Sequence, residues 1–462
     1  MNTVTSNIDT AQTDLLTSPQ KQTVRSLLTK LSSLQLTGYK IGAWLTYLLA
    51  YIYQTILGED KPVYFFPLAL AFVAYIEWMH YCKNNLQPAK GIQTESLSFL
   101  FATLTQALAL TIWGFGEAEF GLVQFLMIHV SFVFYVLARN GWLTQGQLGI
   151  LVWYDAVTGF VLLPFRHFLL RLTTVFYQPV EAIEKRKEHR LNKLQTVGVL
   201  AISISLSFFL VGFVGGQLSQ VSSTFSAVTQ DFNQVFVNFL QSLNQVNISA
   251  IFCRWILSLP VGAWLFGLVA GSLLNIPRKR LDYATFQAGL KPFRVFPPLA
   301  AYIIIGSLCL IYTLFFVVGI SEIGGLLSLQ TISPQDASST AVSGFWQLVR
   351  VSLLNFAVLG GFYLVGERPL WETTITRWMI AILFTFAGLF ALLASWKLFA
   401  IYIFIYGPTP LRLLSGWFIL VLLVWCILAL IRFFRPIQAI RYGLLYALIS
   451  FTITAYIYAL VL

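Results

Sequence analysis

Apolar residues run along this chain in stretches of about twenty, the length a helix needs to cross hydrocarbon. Short polar segments separate them. Twelve such runs can be marked, at 41–57, 63–82, 96–115, 120–138, 151–172, 197–216, 249–274, 298–320, 345–365, 378–406, 411–431 and 437–461. The pattern predicts an all-α fold, a bundle of transmembrane helices.

Charge in the connecting segments orients the runs. The tail before Ile41 carries Lys21, Arg25, Lys30 and Lys40, and the second loop carries Lys83 and Lys90. The first loop holds Glu59, Asp60 and Lys61, and the third holds Glu117 and Glu119. Basic residues gather in cytoplasmic loops, so this alternation places the N-terminus in the cytoplasm. The fifth run breaks the alternation. Arg139 precedes it, and the charged amphipathic segment 181–193, with Lys185, Arg186, Lys187, Arg190 and Lys193, follows it. Inside lie Asp155, Pro164, Arg166, His167 and Arg171, a poor set for a lipid-facing helix. Proline removes a helical hydrogen bond and favours a break there. The expectation is a re-entrant pair that enters and leaves on the cytoplasmic side, which leaves about eleven true spans. Downstream, 217–248 and 321–342 lack basic residues and read as external, whereas 275–296 carries Arg278, Lys279, Arg280, Lys291 and Arg294.

The external stretch 217–248 is more than a loop. Phe225, Val228, Phe232, Val235, Phe236, Phe239, Leu243 and Val246 recur at helical spacing with Ser, Gln and Asn between them. That is an amphipathic helix. It lacks the basic polar face of helices drawn to anionic lipid, so packing at the interface is the plainer reading. The chain then divides into a disordered cytoplasmic tail (1–38), a four-span unit (39–140), the re-entrant segment with its basic helix (141–195) and a C-terminal multi-span domain (196–462).

Composition agrees. Of 462 residues, 58% are hydrophobic and 10% charged, with a mean hydropathy of +0.76. Soluble domains carry about 25% charged residues, so lipid is the remaining solvent. The net charge of +11 sits in short loops, where it faces an anionic leaflet rather than nucleic acid. Cys82, Cys253, Cys309 and Cys426 lie in or beside apolar runs with no CxxC spacing, against both a disulfide framework and a zinc site. Residues 1–37 have no apolar core of a signal peptide.

Ionisable residues inside spans are costly and frequently functional. Glu77, His80, Arg254 and Arg350 lie near span ends, where snorkelling accounts for them. Lys397 sits well inside the run 378–406. At 100° per residue, Ser395, Tyr402 and Tyr406 share a stripe that leaves Lys397 nearly opposite. Beyond it, Gly407, Pro408, Thr409, Pro410 and Arg412 form a stiff turn. Phosphate-loop, zinc-protease and nucleophile-elbow signatures are missing, so no cofactor, metal or catalytic group is expected.

Several stretches resemble a bacterial family of polytopic membrane proteins catalogued as domain of unknown function 4173. Residues 341–348, with Gly344 and Phe345 opening a span and Asn355 further along, are similar to one of its patterns. Ser395, Lys397, Leu398, Tyr402, and then Tyr406, Gly407, Thr409 and Arg412, are similar to its Ser–Arg–Leu–Tyr and Tyr-Gly-Leu-Thr-x-x-Arg patterns. Asp231 with Phe232 resembles a third feature. Ser343, Lys397 and Pro408 depart from the pattern, where arginine, arginine and leucine are usual. The resemblance implies a membrane fold and no particular activity.

The span count and the buried lysine motivate transport or permeation of a small solute. The basic segment 181–193 motivates a signalling or assembly component with a cytoplasmic protein partner. Asp155, Arg166 and His167, if brought together by a break at Pro164, motivate a lipid-modifying enzyme.

Overall fold

The computed structural model of the chain describes residues 28, 31–84, 94–114, 116, 118–177, 248–274, 283–327 and 334–461. Among them there is no β-strand, only an isolated parallel bridge between Phe296 and Gly366. Eleven helices among the described residues are long and apolar enough to cross a membrane. The run 197–216, the external stretch with Asp231, the basic segment 181–193 and most of the tail lie outside the described residues.

In chain order the helices are α1 (Ser33–Gly58), α2 (Phe65–Lys83, entered through a 3-10 turn Pro62–Tyr64), α3 (Thr94–Trp113) and α4 (Ala118–Arg139). The fifth run is four pieces: α5 (Val152–Val157), a π-turn Thr158–Leu162, α6 (Leu163–Arg166) and α7 (Leu170–Phe176). Then come α8 (Ile248–Leu274), the short α9 (Tyr283–Leu290), α10 (Pro298–Leu327) and α11 (Pro334–Val365). Next is α12 (Thr374–Trp396), which continues through a π-turn Lys397–Ile403 into α13 (Phe404–Tyr406). The chain closes with α14 (Pro410–Phe434) and α15 (Ala439–Val461).

One expected boundary moves. α1 begins at Ser33, inside the supposed disordered tail. Ser32 and Gln35 explain the start: Gln35 N–H donates to Ser32 Oγ at 3.2 Å and Ser32 N–H to Gln35 Oε1 at 3.0 Å. This reciprocal cap satisfies two orphan donors and starts a helix through polar residues that hydropathy passes over.

Two compact units emerge, neither a contiguous stretch of chain. In the first, which takes residues 1–55, 74–90 and 161–276, glycines set the spacing. A Cβ on Gly38 would meet Cys82 Sγ at 2.6 Å, and one on Gly42 would meet Met79 Sδ at 2.6 Å. A Cβ on Gly267 would meet the Pro164 carbonyl at 2.6 Å. Small residues four apart let helices approach closely where lipid supplies no hydrophobic drive between them.

The second unit contains α3 and α4, the start of the fifth run, and everything from α9 onward. α12 is its hub, packed by α10, α11 and α14, while α15 bridges α14 to α3. Its core is aromatic. Phe384 meets Phe356 and Phe433 edge-on at 4.9 and 5.4 Å between centroids, and Phe390 stacks on Phe316 at 5.1 Å. Its outward face is equally apolar: Leu310 is 71% and Ile303 63% exposed. Only hydrocarbon solvates such a surface without penalty.

Candidate functional site

The fifth run is 25 residues, long enough to cross outright (Val152–Phe176). The expected break at Pro164 falls one turn later. Pro164 follows the π-turn without a break, Leu162 being helical, so its missing N–H falls where the hydrogen-bonding pattern changes from five residues back to four. The π-turn ahead of it supplies the wider spacing that keeps its ring from striking the preceding turn. The helix unwinds instead at residues 167–169, with His167 at φ −109°, ψ 18°.

Just past that joint, Arg171 of α7 is buried, 6% exposed. Its Nε donates to the Ala43 carbonyl at 2.9 Å and its Nη1 to the Leu259 carbonyl at 3.5 Å, and the guanidinium lies 4.9 Å from the Tyr47 ring centroid. Ala43 lies ten residues beyond Ser33, and Leu259 eleven beyond Ile248. At 1.5 Å per residue the charge is therefore about 15 Å or more from either end of both helices. Tyr47 is held in turn by its hydroxyl, which donates to the Trp255 carbonyl at 3.2 Å, and by an edge-on contact with that indole at 5.7 Å. Tyr75 of α2 lies one turn before Met79, which packs on Gly42 of α1 beside Ala43. The hydroxyls of Tyr39 and Tyr75 are buried and make no hydrogen bond among the described residues. Three helices thus converge their polar groups on one cation.

The residues expected as functional scatter by comparison. Asp155, in the second unit, is buried and accepts hydrogen bonds from the Thr144 N–H at 2.9 Å and from the Thr144 hydroxyl. It fastens the loop after α4. Arg166 and His167 belong to the first unit. Arg166 is exposed, and His167 is buried with its ring against Gly271 of α8. Arg350 is exposed on α11, while Asn355 is fully buried and accepts from the Tyr312 hydroxyl at 3.0 Å.

The turn after α12 is one assembly. Arg412 Nη1 donates to the carbonyls of Tyr406 and Gly407 at 3.0 and 2.6 Å, and its guanidinium covers the Tyr402 ring at 4.2 Å. Thr409 caps α14, its hydroxyl oxygen accepting from the Arg412 N–H at 3.4 Å. Arg412 thereby closes orphan carbonyls at a helix end. Lys397 is half-buried at the first position of the π-turn. The α-helical wheel set Tyr402 nearly opposite it. In a π-turn each N–H bonds five residues back, so Tyr402 swings onto the side of Lys397.

Sequence reasoning named Arg171 only as an awkward residue in the fifth run. Tyr39, Ala43 and Tyr47 recur every fourth residue, which puts them on one stripe of α1 facing the site. That spacing was the available signal. Among the described residues no cluster of three or more His, Cys, Asp or Glu could hold a metal ion.

Fold and site together define an all-α, multi-pass integral membrane protein with a cation buried inside one helical unit. No family model matches the chain, and no curated protein or solved structure does either.

Proposed function

We propose that the protein is a membrane permeation protein for a small solute, with the interrupted span Val152–Phe176 as its moving part. One observation carries this reading: that span combines a π-turn, an unwound joint and the buried side chains His167 and Arg171. Backbone that departs from regular helix at membrane depth persists only inside protein or beside a hydrated path. Broken helices of this kind are the substrate-handling parts of many transporters, and π-turns concentrate at functional positions. Residues 374–406 repeat the construction, with the π-turn Lys397–Ile403 near the far end of a long span.

Orientation belongs to the same reading. Arg294, Arg368, Arg432 and Arg441 flank the starts of α10, α12 and α15 and the ends of α11 and α14, and basic residues favour the cytoplasmic face. Lys83 and Arg139, at the ends of α2 and α4, favour the same face, which supports an N-terminus in the cytoplasm of a bacterial inner membrane. Impermeant thiol labelling of Lys291→Cys, with the four native cysteines replaced by alanine, is expected only after the membrane is opened.

The function is tested by reconstituting the purified full-length chain in liposomes. Uptake of carboxylates, amino acids, sugars and inorganic ions is measured against protein-free vesicles. Counterflow of at least one class above the control is the expected result. A folded, correctly inserted protein that moves none of them overturns the reading.

A further inference from the structure

Among the described residues of the first unit, Arg171 offers more hydrogen-bond donors than there are acceptors to meet them. A guanidinium has five N–H groups, and among the described residues only Nε and Nη1 find carbonyls. The hydroxyls of Tyr39 and Tyr75, both buried, have found no partner among the described residues. Glu77 is the one acidic residue among this unit's described residues. It stands two positions from Tyr75 on α2, about 200° around the helix, and points away from it. A buried cation without a carboxylate costs several kcal/mol unless something else compensates its charge. The carbonyls and the Tyr47 ring compensate only in part, because each is a dipole or quadrupole rather than a full charge.

The missing partner therefore accepts hydrogen bonds and carries negative charge. Its charge is also set. One guanidinium neutralises one unit, and a dianion would leave net charge buried. From this excess of donors we infer that Arg171, with the Tyr75 hydroxyl, binds a singly charged oxyanion, either a carboxylate or a phosphodiester. Arg171 offers its remaining N–H groups to the oxyanion, and Tyr75 donates its O–H. The inference deepens the permeation reading by naming the charged group of the solute. The joint at residues 167–169 lies within one helical turn of Arg171, so movement there opens or closes the site.

The two sources of such an anion are separable. The full-length protein, purified in an uncharged detergent without added lipid, is titrated by calorimetry with butyrate against butyramide. A second titration sets dioctanoyl phosphatidylglycerol against dioctanoylglycerol. Saturable binding of one anion, absent from its neutral analogue, is expected. Butyrate binding identifies a carboxylate solute, and phosphatidylglycerol binding identifies a lipid headgroup. Arg171→Gln weakens that binding at least about tenfold, or roughly 1.4 kcal/mol.

Tyr75→Phe is the decisive second variant. It removes a hydroxyl that has no partner among the described residues, so a purely structural role leaves binding unchanged. The proposed site loses affinity by about tenfold to a hundredfold, the worth of one hydrogen bond to a charged group. Binding of neither anion, equal binding of the neutral analogues, or full affinity in Tyr75→Phe overturns the inference. Binding without flux in liposomes overturns only the permeation reading. Flux of a solute that is indifferent to Arg171→Gln overturns only the site.

Discussion

The hydroxyl of Tyr312 donates to Asn355 Oδ1 at 3.0 Å across α10 and α11, with Tyr312 6% exposed and Asn355 fully buried. The asparagine's Nδ2 finds no partner among the described residues, so this one bond does most to satisfy a polar side chain in an aromatic core. Tyr312→Phe strands the amide and is expected to lower stability by about 1–3 kcal/mol. Asn355→Leu in the same background removes the stranded group and recovers part of the loss. Thermal unfolding in detergent of the two single variants and the double variant checks the pattern. Strictly additive losses would show that the two side chains do not interact.

A second tie joins α3 to α15. Arg441 Nε lies 2.7 Å from Glu95 Oε1, with side-chain exposures of 21% and 6%. Glu95 also sits in the first turn of α3, where the helix dipole favours a negative charge. Breaking a buried pair costs about 3–5 kcal/mol when the remaining charge stays buried. Arg441 is a fifth exposed and can turn to water, so Glu95→Gln is expected to cost about 2–3 kcal/mol. The same variant assayed at raised salt discriminates between a shielded and a solvated pair. Little salt dependence of the native protein is expected, because buried charges are poorly screened.

How far these ties could be foreseen differs between them. Ten of the eleven long helices among the described residues were legible as apolar runs, because lipid demands little else of sequence; the fifth run, expected to be re-entrant, is a 25-residue stretch in four pieces. Helix ends were less so: α1 extends back to Ser33 through polar residues that only the Ser32–Gln35 cap explains. The π-turns were invisible: residues 158–162 read as ordinary span sequence, and Lys397 marks a charge at 397–403 but not a change of helix type. Arg171 was visible as a charge in an apolar run, but its meaning was not. Its partners Ala43 and Leu259 are 128 and 88 residues away in the chain, and one sequence carries no record of which helices adjoin. The turn around Gly407 was the opposite case, a local motif whose stiffness two prolines announce.

That turn yields a prediction of its own. Gly407 adopts φ 76°, ψ 168°, a region essentially reserved for glycine and costing other residues about 1–3 kcal/mol. Gly407→Ala is expected to lose that amount even though nothing lies within 4 Å of the new methyl, so strain alone is being measured. Arg412→Lys should cost a comparable amount. An ammonium cannot reproduce the planar group that bonds two carbonyls while covering the Tyr402 ring. If both variants melt with the native protein, the turn contributes nothing to the folded state.

Glycines in helices offer the sharpest contrast between close packing and mere tolerance. A Cβ on Gly267 would come within 2.6 Å of the Pro164 carbonyl oxygen, 3.2 Å of the His167 carbonyl oxygen and 3.2 Å of Pro164 Cα. All three are backbone atoms, which cannot rotate away as a side-chain tip can. Gly267→Ala must therefore push α6 from α8, and with it the joint at residues 167–169 that precedes Arg171. Overpacking of this kind typically costs about 1–3 kcal/mol. Gly360, in α11, has nothing within 4 Å of the same added carbon, and alanine there gains about 0.5–1 kcal/mol of helix propensity. The expected result is a lowered melting temperature for Gly267→Ala and a slightly raised one for Gly360→Ala. Because the first change displaces α6, it should also weaken anion binding at Arg171, which the second leaves untouched. Equal behaviour of the two variants would mean that α6 and α8 do not pack as closely as the Pro164–Gly267 approach requires.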